Sequence, residues 1–284
     1  MHPNNPFQER YDFKKLVTLL PELNQYTMLS PGGWPTIDFG NQDAVKALNK
    51  ALLKQHYGLD WNLPKDNLCP PVPGRIDYLL HVADLIDKDQ AHLLDIGTGA
   101  NLIYPILATQ QLQWTAVASE VNPDSLEHAQ QLINRNPKLE GIALRKQQFK
   151  RHILKHIITP EDRFDVVVCN PPFYKNRSEA EKHNSRKRRN LGLSGEKNLN
   201  FGGLSNELWY KGGEEAFIKA YAAESANFKT QVSWFTSLVS NKEHLKNIKR
   251  AINKTQPEEV RIIEMDQGHK KSRFIAWTYL KPNA

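Results

Sequence analysis

The stretch Phe164-Asp165-Val166-Val167-Val168-Cys169-Asn170-Pro171-Pro172-Phe173 constrains the fold more than any other part of the chain. Its first six residues form a short, β-branched apolar run, the pattern of a buried strand. Two consecutive prolines then forbid continuation of a hydrogen-bonded ladder. The tetrad Asn170-Pro171-Pro172-Phe173 is thereby placed at the carboxyl end of a strand, where open α/β sheets bind ligands.

Around this strand the sequence alternates. Leu93-Leu94-Asp95-Ile96 reads as a buried strand ending in Gly97-Thr98-Gly99-Ala100-Asn101, followed by an apolar helix through Ile103, Ile106 and Leu107. Trp114 to Val121 reads as a second strand that ends around Glu120, and Pro123 opens the next helix at a position where proline is welcome. Ile142 to Gln147 gives a third strand, and Gln231 to Val239, Val260 to Met265 and Arg273 to Leu280 give three more. Strands separated by helices imply a parallel sheet with right-handed crossovers. The last two are joined only by Asp266 to Ser272, too short for a crossover, so they should pair as an antiparallel hairpin. The expected class is α/β: a seven-stranded, mostly parallel sheet ending in an antiparallel hairpin, the architecture of Rossmann-like class I methyltransferases.

The 284 residues suffice for one sizeable domain with an appendage. Residues 91–284 are assigned to the sheet domain and residues 1–90 to a mainly helical extension, a candidate lid over RNA or cofactor. In that extension Phe13, Leu16, Val17, Leu19 and Leu20 suggest a short helix, and Pro31-Gly32-Gly33 a turn. Asp43 is a candidate cap for a helix through Val45, Leu48, Leu52 and Leu53. Cys69-Pro70-Pro71-Val72-Pro73-Gly74 should be rigid and extended, with a helix from about Arg75 through Tyr78, Leu79, Val82 and Leu85.

Strand-end residues carry the chemistry. Gly97 and Gly99 let the backbone pass close to a ligand, but Leu102 stands where a dinucleotide fingerprint needs its third glycine. Glu120 can accept both hydroxyls of a ribose, and S-adenosylmethionine offers a ribose without phosphate. The tetrad suits methyl transfer to a planar amine: the Asn170 side-chain oxygen and the Pro171 carbonyl accept the two amino hydrogens. Pro171 and Pro172 stiffen the corner, and Phe173 offers a face for a flipped base. The bland readings are a loop-orienting Asp95, an exposed Glu120 and a proline-rich turn with a core phenylalanine. The joint spacing favours the methyltransferase reading.

The net charge of +7 favours a polyanionic partner. Much of it lies just beyond the tetrad, where Lys175, Arg177, Lys182, Arg186, Lys187, Arg188 and Arg189 face only Glu179 and Glu181. Such a loop can track the phosphates flanking a target nucleotide, although charge runs are often only solvated. Two cysteines, Cys69 and Cys169, fit a reducing compartment, and no signal core or membrane span is evident. A soluble, cytoplasmic, monomeric protein is expected. His152 and His156 stand one helical turn apart but lack further ligands, so they are read as surface residues, and no metal is expected.

Taken together, these residues resemble a known family, the bacterial large-subunit ribosomal RNA adenine-N6 methyltransferases of type F, with eukaryotic relatives that methylate a spliceosomal small nuclear RNA. The resemblance rests on Met1-His2-Pro3-Asn4, Asp38-Phe39, Pro71-Val72-Pro73-Gly74-Arg75 with Tyr78, Asp95-Ile96-Gly97-Thr98-Gly99-Ala100 with Ile103-Tyr104-Pro105, Asn170-Pro171-Pro172-Phe173, Asn184-Ser185-Arg186, Gly212-Gly213-Glu214 and Gln267-Gly268. It implies methyl transfer from S-adenosylmethionine to the N6 of one adenine in 23S ribosomal RNA or a large-subunit precursor, the adenine the family numbers 1618. The candidate cofactor-binding residues are Arg75, Asp95, Gly97, Gly99, Asn101, Glu120 and Asn170. By motif, Arg75, Gly97, Glu120 and Asn170 would contact the cofactor or its immediate shell, with Arg75 on its carboxylate. Asn101 stands where the eukaryotic relatives carry a serine. Two alternatives are weighed: a protein glutamine N5-methyltransferase, in which tyrosine would be expected in place of Phe173, and a non-catalytic RNA-binding ribosome assembly factor, which would need no intact glycine turn.

Overall fold

The protein was analysed as a computed structural model, which describes residues 1–65, 67–175, 209–267 and 270–281. Helix α1 (Phe13–Leu19), a two-stranded hairpin of β1 (Thr27–Leu29) and β2 (Pro35–Ile37), α2 (Gln42–Tyr57) and α3 (Val72–Ile86) come first. The alternating part follows: β3 (His92–Ile96), α4 (Ile103–Gln111), β4 (Thr115–Glu120), α5 (Pro123–Arg135), β5 (Ile142–Lys146) and β6 (Phe164–Cys169). Then come α6 (Gly213–Ser225), β7 (Val232–Leu238), α7 (Leu245–Asn253), β8 (Glu259–Gln267) and β9 (Lys270–Thr278).

Seven strands form one sheet in the order β5-β4-β3-β6-β7-β9-β8. The pairs β3–β4, β3–β6, β4–β5 and β6–β7 are parallel, whereas β9 runs antiparallel to β7 and β8. The expected α/β architecture with its closing hairpin is therefore present. The order in which successive strands are laid down reverses between the parallel neighbours β3 and β6, and a crevice at such a switch point is where ligands enter this class of fold.

The period-2 pleat divides the core. Leu93, Ala116, Ala118, Val166, Val168, Phe274 and Ala276 face one layer, and Leu94, Val117, Val167, Phe235, Ile275 and Trp277 the other. On the first face the sheet shares one continuous core with the N-terminal helices, through residues such as Leu52, Trp61, Ile76 and Leu79. Tyr78 of α3 reaches deepest. Its hydroxyl lies 2.6 Å from Thr236 Oγ1, which itself donates to the Val167 carbonyl at 2.9 Å. The first residues of the chain are fastened to α3 as well. The His2 N–H and the Asn5 amide donate to Asp77 Oδ1 at 2.7 and 3.0 Å, and His2 Nε2 lies 2.8 Å from Asp84.

Two local expectations shift, and a third is met. Asn41, not Asp43, caps α2: its side-chain oxygen accepts the N–H groups of Asp43 and Ala44, leaving Asp43 in the first turn. Helix α3 starts at Val72, three residues earlier than expected, because Pro73 falls in the first turn, where a missing N–H does no harm. The turn at Pro31-Gly32-Gly33 closes the hairpin β1–β2, whose three-residue strands are too short to leave a periodic signal.

Asp162, just before β6, receives both Nη groups of Arg145 from β5 at 2.5 and 2.9 Å and the Thr159 N–H at 2.7 Å. Burial would raise its pKa, but the guanidinium and Thr159 together hold it down at about 2. A depressed carboxyl stabilises the fold above its unfolded pKa, and that contribution fades as pH falls through the folded value. Asp162→Asn should cost about 1 kcal/mol at neutral pH, after allowance for solvent screening. In urea unfolding followed from pH 7 downward, the difference from the unaltered protein should shrink below about pH 4 and be lost only as pH falls through and below about 2.

Candidate active site

At the carboxyl ends of β3, β4 and β6 lies a cavity of about 430 Å³. Its floor is the turn after β3. Gly97 and Gly99 have φ of 72° and 61°, a region that L side chains avoid, so the turn demands glycine at both places. The N–H groups of Gly97 and Thr98 both donate to the Ser119 carbonyl at 3.0 Å, stitching the turn to β4.

Glu120 completes the stitching. Its Oε2 accepts the Gly99 N–H at 2.9 Å, while Oε1 accepts those of Val121 and Asn122 at 2.7 and 2.8 Å. The residue is buried, unlike the exposed strand-end charge of the bland reading, and it lines the cavity. Asn122 then caps α5 with Pro123 in its first turn, as the sequence suggests.

Behind the turn sits Asp95, fully buried and outside the cavity lining. Burial pushes its pKa up to about 7; nearby Glu120 adds to the rise, and Thr98 and Arg75 oppose it. Arg75 enters from the first turns of α3 and lines the opposite wall. Its Nη1 donates to the Tyr104 hydroxyl at 3.0 Å, and its guanidinium carbon lies 5.7 Å from the centre of the Tyr104 ring. The guanidinium is thus held by the tyrosine that follows the glycine turn.

From β6, Cys169, Asn170 and Pro172 line the cavity, whereas Pro171 is buried beneath and Phe173 is half-buried outside the lining. The Asn170 side-chain oxygen is buried and has no hydrogen-bond partner among the described residues. Asn101 lines the cavity, and its side-chain oxygen accepts the Ile103 N–H at 3.0 Å. Arg75, Gly97, Gly99, Asn101, Glu120 and Asn170 are therefore brought to one site.

The basic loop departs from its edge. Lys175 is exposed, but Arg177, Lys182, Arg186, Lys187, Arg188 and Arg189 lie outside the described residues, as does Asn184-Ser185-Arg186. The chain returns beside its own departure: Tyr174 bridges Trp209, and the Tyr210 N–H donates to the Tyr174 carbonyl at 3.0 Å. Gly213, at φ 73°, closes this neck, since an added Cβ would lie 3.0 Å from Lys175 Cγ.

Several lining residues carry no signal in the sequence reading. Gln147 follows the last residue of β5 and donates its N–H to the carbonyl of Glu120, which ends β4, at 2.9 Å. Trp209 and Tyr210 follow the basic loop and line the cavity, with the Trp209 indole N–H buried and unpartnered among the described residues. His152 is not a plain surface residue. It is half-buried, lines the cavity and sets Nδ1 3.1 Å from Glu224, in a segment that is not helical. Tertiary contact with α6 holds that segment, which its own pattern could not reveal.

Comparison with known proteins agrees with this geometry. The sequence matches the RNA methyltransferase family over residues 1–281. It is 45% identical to the ribosomal RNA large subunit methyltransferase F of Flavobacterium johnsoniae, covering 99% of this chain and 93% of that protein. It is 46% identical to that of Klebsiella pneumoniae, covering 99% and 95%. Among solved structures, the human METTL16 catalytic domain in complex with the MAT2A 3′UTR hairpin 1 superposes with a TM-score of 0.84 at 30% identity, covering 99% of this chain and 96% of that one. The human METTL16 N-terminal domain in complex with SAH does so with a TM-score of 0.80 at 25% identity, covering 99% of each. With a methyltransferase sheet, a glycine turn tied to a strand-end glutamate and full-length matches, the chain belongs to the RNA methyltransferase family that includes the ribosomal RNA large subunit methyltransferases F.

Proposed function

We propose that this enzyme methylates the N6 amino group of one adenine in 23S ribosomal RNA or a large-subunit precursor, the adenine that family resemblance numbers 1618, using S-adenosylmethionine. The observation that carries the reading is the Asn170 side-chain oxygen, buried without a partner among the described residues at the corner that closes the cavity. A buried acceptor without a donor costs about 1–3 kcal/mol, and an amino group is the missing donor. The names of the bacterial relatives and the RNA bound to the human one support RNA as the substrate.

The residues present fit the cofactor. Glu120 would take the ribose hydroxyls, the turn at Gly97 and Gly99 lets a ligand approach the backbone, and Arg75 offers a guanidinium fork to a carboxylate. When bound, S-adenosylmethionine supplies an electrophilic methyl group on a sulfonium. Asn170 Oδ1 and the Pro171 carbonyl would accept the two N6 hydrogens and draw the lone pair out of conjugation with the ring. The proton on the methylated nitrogen is acidic and leaves to water, so positioning supplies most of the acceleration. Phe173, half-buried and outside the present cavity lining, would offer a face to the base from the cavity's edge.

Mass spectrometry of ribosomal RNA from cells lacking the gene should show one missing N6-methyladenosine. Unchanged RNA, with a methylglutamine lost from a ribosomal protein, would overturn the substrate assignment. Asn170→Ala should lower turnover by about 100-fold or more, in line with loss of one preorganised acceptor, and leave the calorimetric affinity for S-adenosylmethionine within a few-fold. A carboxyl with its pKa raised to about 7 is largely protonated below that pH. The net positive charge of the cofactor favours the ionised form, so binding at pH 6 should release a proton and affinity should rise as pH increases through 7. Calorimetry in buffers of different ionisation enthalpy measures this release; it should shrink with S-adenosylhomocysteine, which lacks the sulfonium charge, and disappear in Asp95→Asn.

A further inference from the structure

The segment between β5 and β6 has no regular secondary structure, yet it is tightly fixed. Glu224 of α6 reaches under it, and Oε2 accepts three successive N–H groups, from Ile153, Leu154 and Lys155, at 3.0, 2.8 and 3.0 Å. Hydrogen bonds from these groups keep the Glu224 carboxyl below its ordinary pKa despite burial that would raise it. From the other side Gln147 accepts the Phe149 N–H at 3.0 Å and donates to the Lys155 carbonyl at 2.9 Å. Arg151 Nε donates to His152 Nε2 at 3.2 Å, which leaves His152 Nδ1–H to face Glu224 Oε1.

While Ile153, Leu154, Ile157 and Ile158 of this segment are buried in the core, the frame turns an aromatic ring toward solvent. Phe149 is 42% exposed. Its ring lies 4.8 Å from that of His156 and 6.2 Å from that of His152, and the two imidazoles are 5.3 Å apart. Lys146, Lys150, Arg151 and Lys155 are exposed around the three rings, and the carboxylate packed against them, Glu224, is engaged by the loop's own amides. Lys150 and His152 also line the cavity, so the cluster is continuous with the place where the target base would sit.

Exposed aromatic faces interleaved with cations, held rigid, are what a single-stranded nucleic acid stacks on. We propose that Phe149, with His152 and His156, forms a stacking platform for a nucleotide adjacent to the methylated adenine, while Lys150 and Arg151 meet its phosphates. The inference rests on the RNA methyltransferase reading and adds the surface that receives the flanking strand. Preorganisation by Glu224 matters here, because a platform that need not be ordered on binding retains more of its stacking energy.

The test uses the full chain and synthetic RNA oligonucleotides carrying the target adenine, with either flanking nucleotide intact or abasic. Phe149→Ala should weaken RNA binding about tenfold by fluorescence anisotropy, the scale of one stacked base, and Phe149→Trp should retain it. Calorimetric affinity for S-adenosylmethionine and the melting temperature should stay unchanged in both. One of the two abasic flanks should weaken the unaltered protein to a similar extent but leave Phe149→Ala untouched. Equal RNA affinity of Phe149→Ala and the unaltered protein, or a loss indifferent to both abasic flanks, overturns the platform alone. If the unaltered protein neither binds nor methylates RNA, the substrate assignment falls with it.

Discussion

The site depends on one buried carboxylate. Glu120 gathers N–H groups from both sides of a strand gap: Gly99 beyond β3, and Val121 and Asn122 beyond β4. Charge-assisted bonds of this kind are roughly twice as strong as neutral ones, and here they set the spacing between two strand ends. The glycine turn is thus tied to β4 through its backbone N–H groups. Asp95 bears the consequence: buried next to Glu120, its carboxyl is pushed up to about 7, first by burial and then by that neighbouring charge. One acid stays tied to backbone donors while the other is poised near neutrality, and environment alone separates their roles.

The second wall comes from the other end of the sequence. Arg75 reaches the cavity because α3 packs into the sheet core through Tyr78 and because the first residues are clamped to α3 by Asp77. Tyr104 then fixes the guanidinium from the helix that follows the glycine turn. A chain cut near residue 90 would expose much of one sheet face and lose Arg75 along with it. The helical extension therefore supplies a core layer as well as a residue of the cavity wall.

Strands β3, β4 and β6 were legible because each is a short apolar run ended by glycine, by proline or by a strand-end acid, and β8–β9 because its connection is too short to cross over. Gly97, Gly99, Glu120 and Asn170 follow from their places at those ends, while the role expected of Arg75 came through resemblance. Helix starts were less legible: Asn41 and Asp43 are both good caps, and the extended backbone that makes Asn41 the cap leaves no mark in composition. The segment from Gln147 to Ile158 was illegible in principle. Its shape is dictated by Glu224, about seventy residues further on, and no local period records a contact of that range.

The Asn170 corner shows why a stable fold tolerates an unsatisfied polar atom. A side chain free to rotate would turn its carboxamide toward water or a backbone donor. Pro171 and Pro172 limit how the backbone can shift to help it do so, since their fixed φ removes the softest degrees of freedom and their missing N–H groups offer no local donor. The oxygen is left buried and unpartnered among the described residues, a burden on the free protein of about 1–3 kcal/mol. A substrate amine of the proposed kind would relieve that burden only where its hydrogens reach the corner. Under the proposed function, affinity for the correct nitrogen and rejection of bases that present a carbonyl there would arise from the same atom, because a carbonyl would leave two acceptors facing each other.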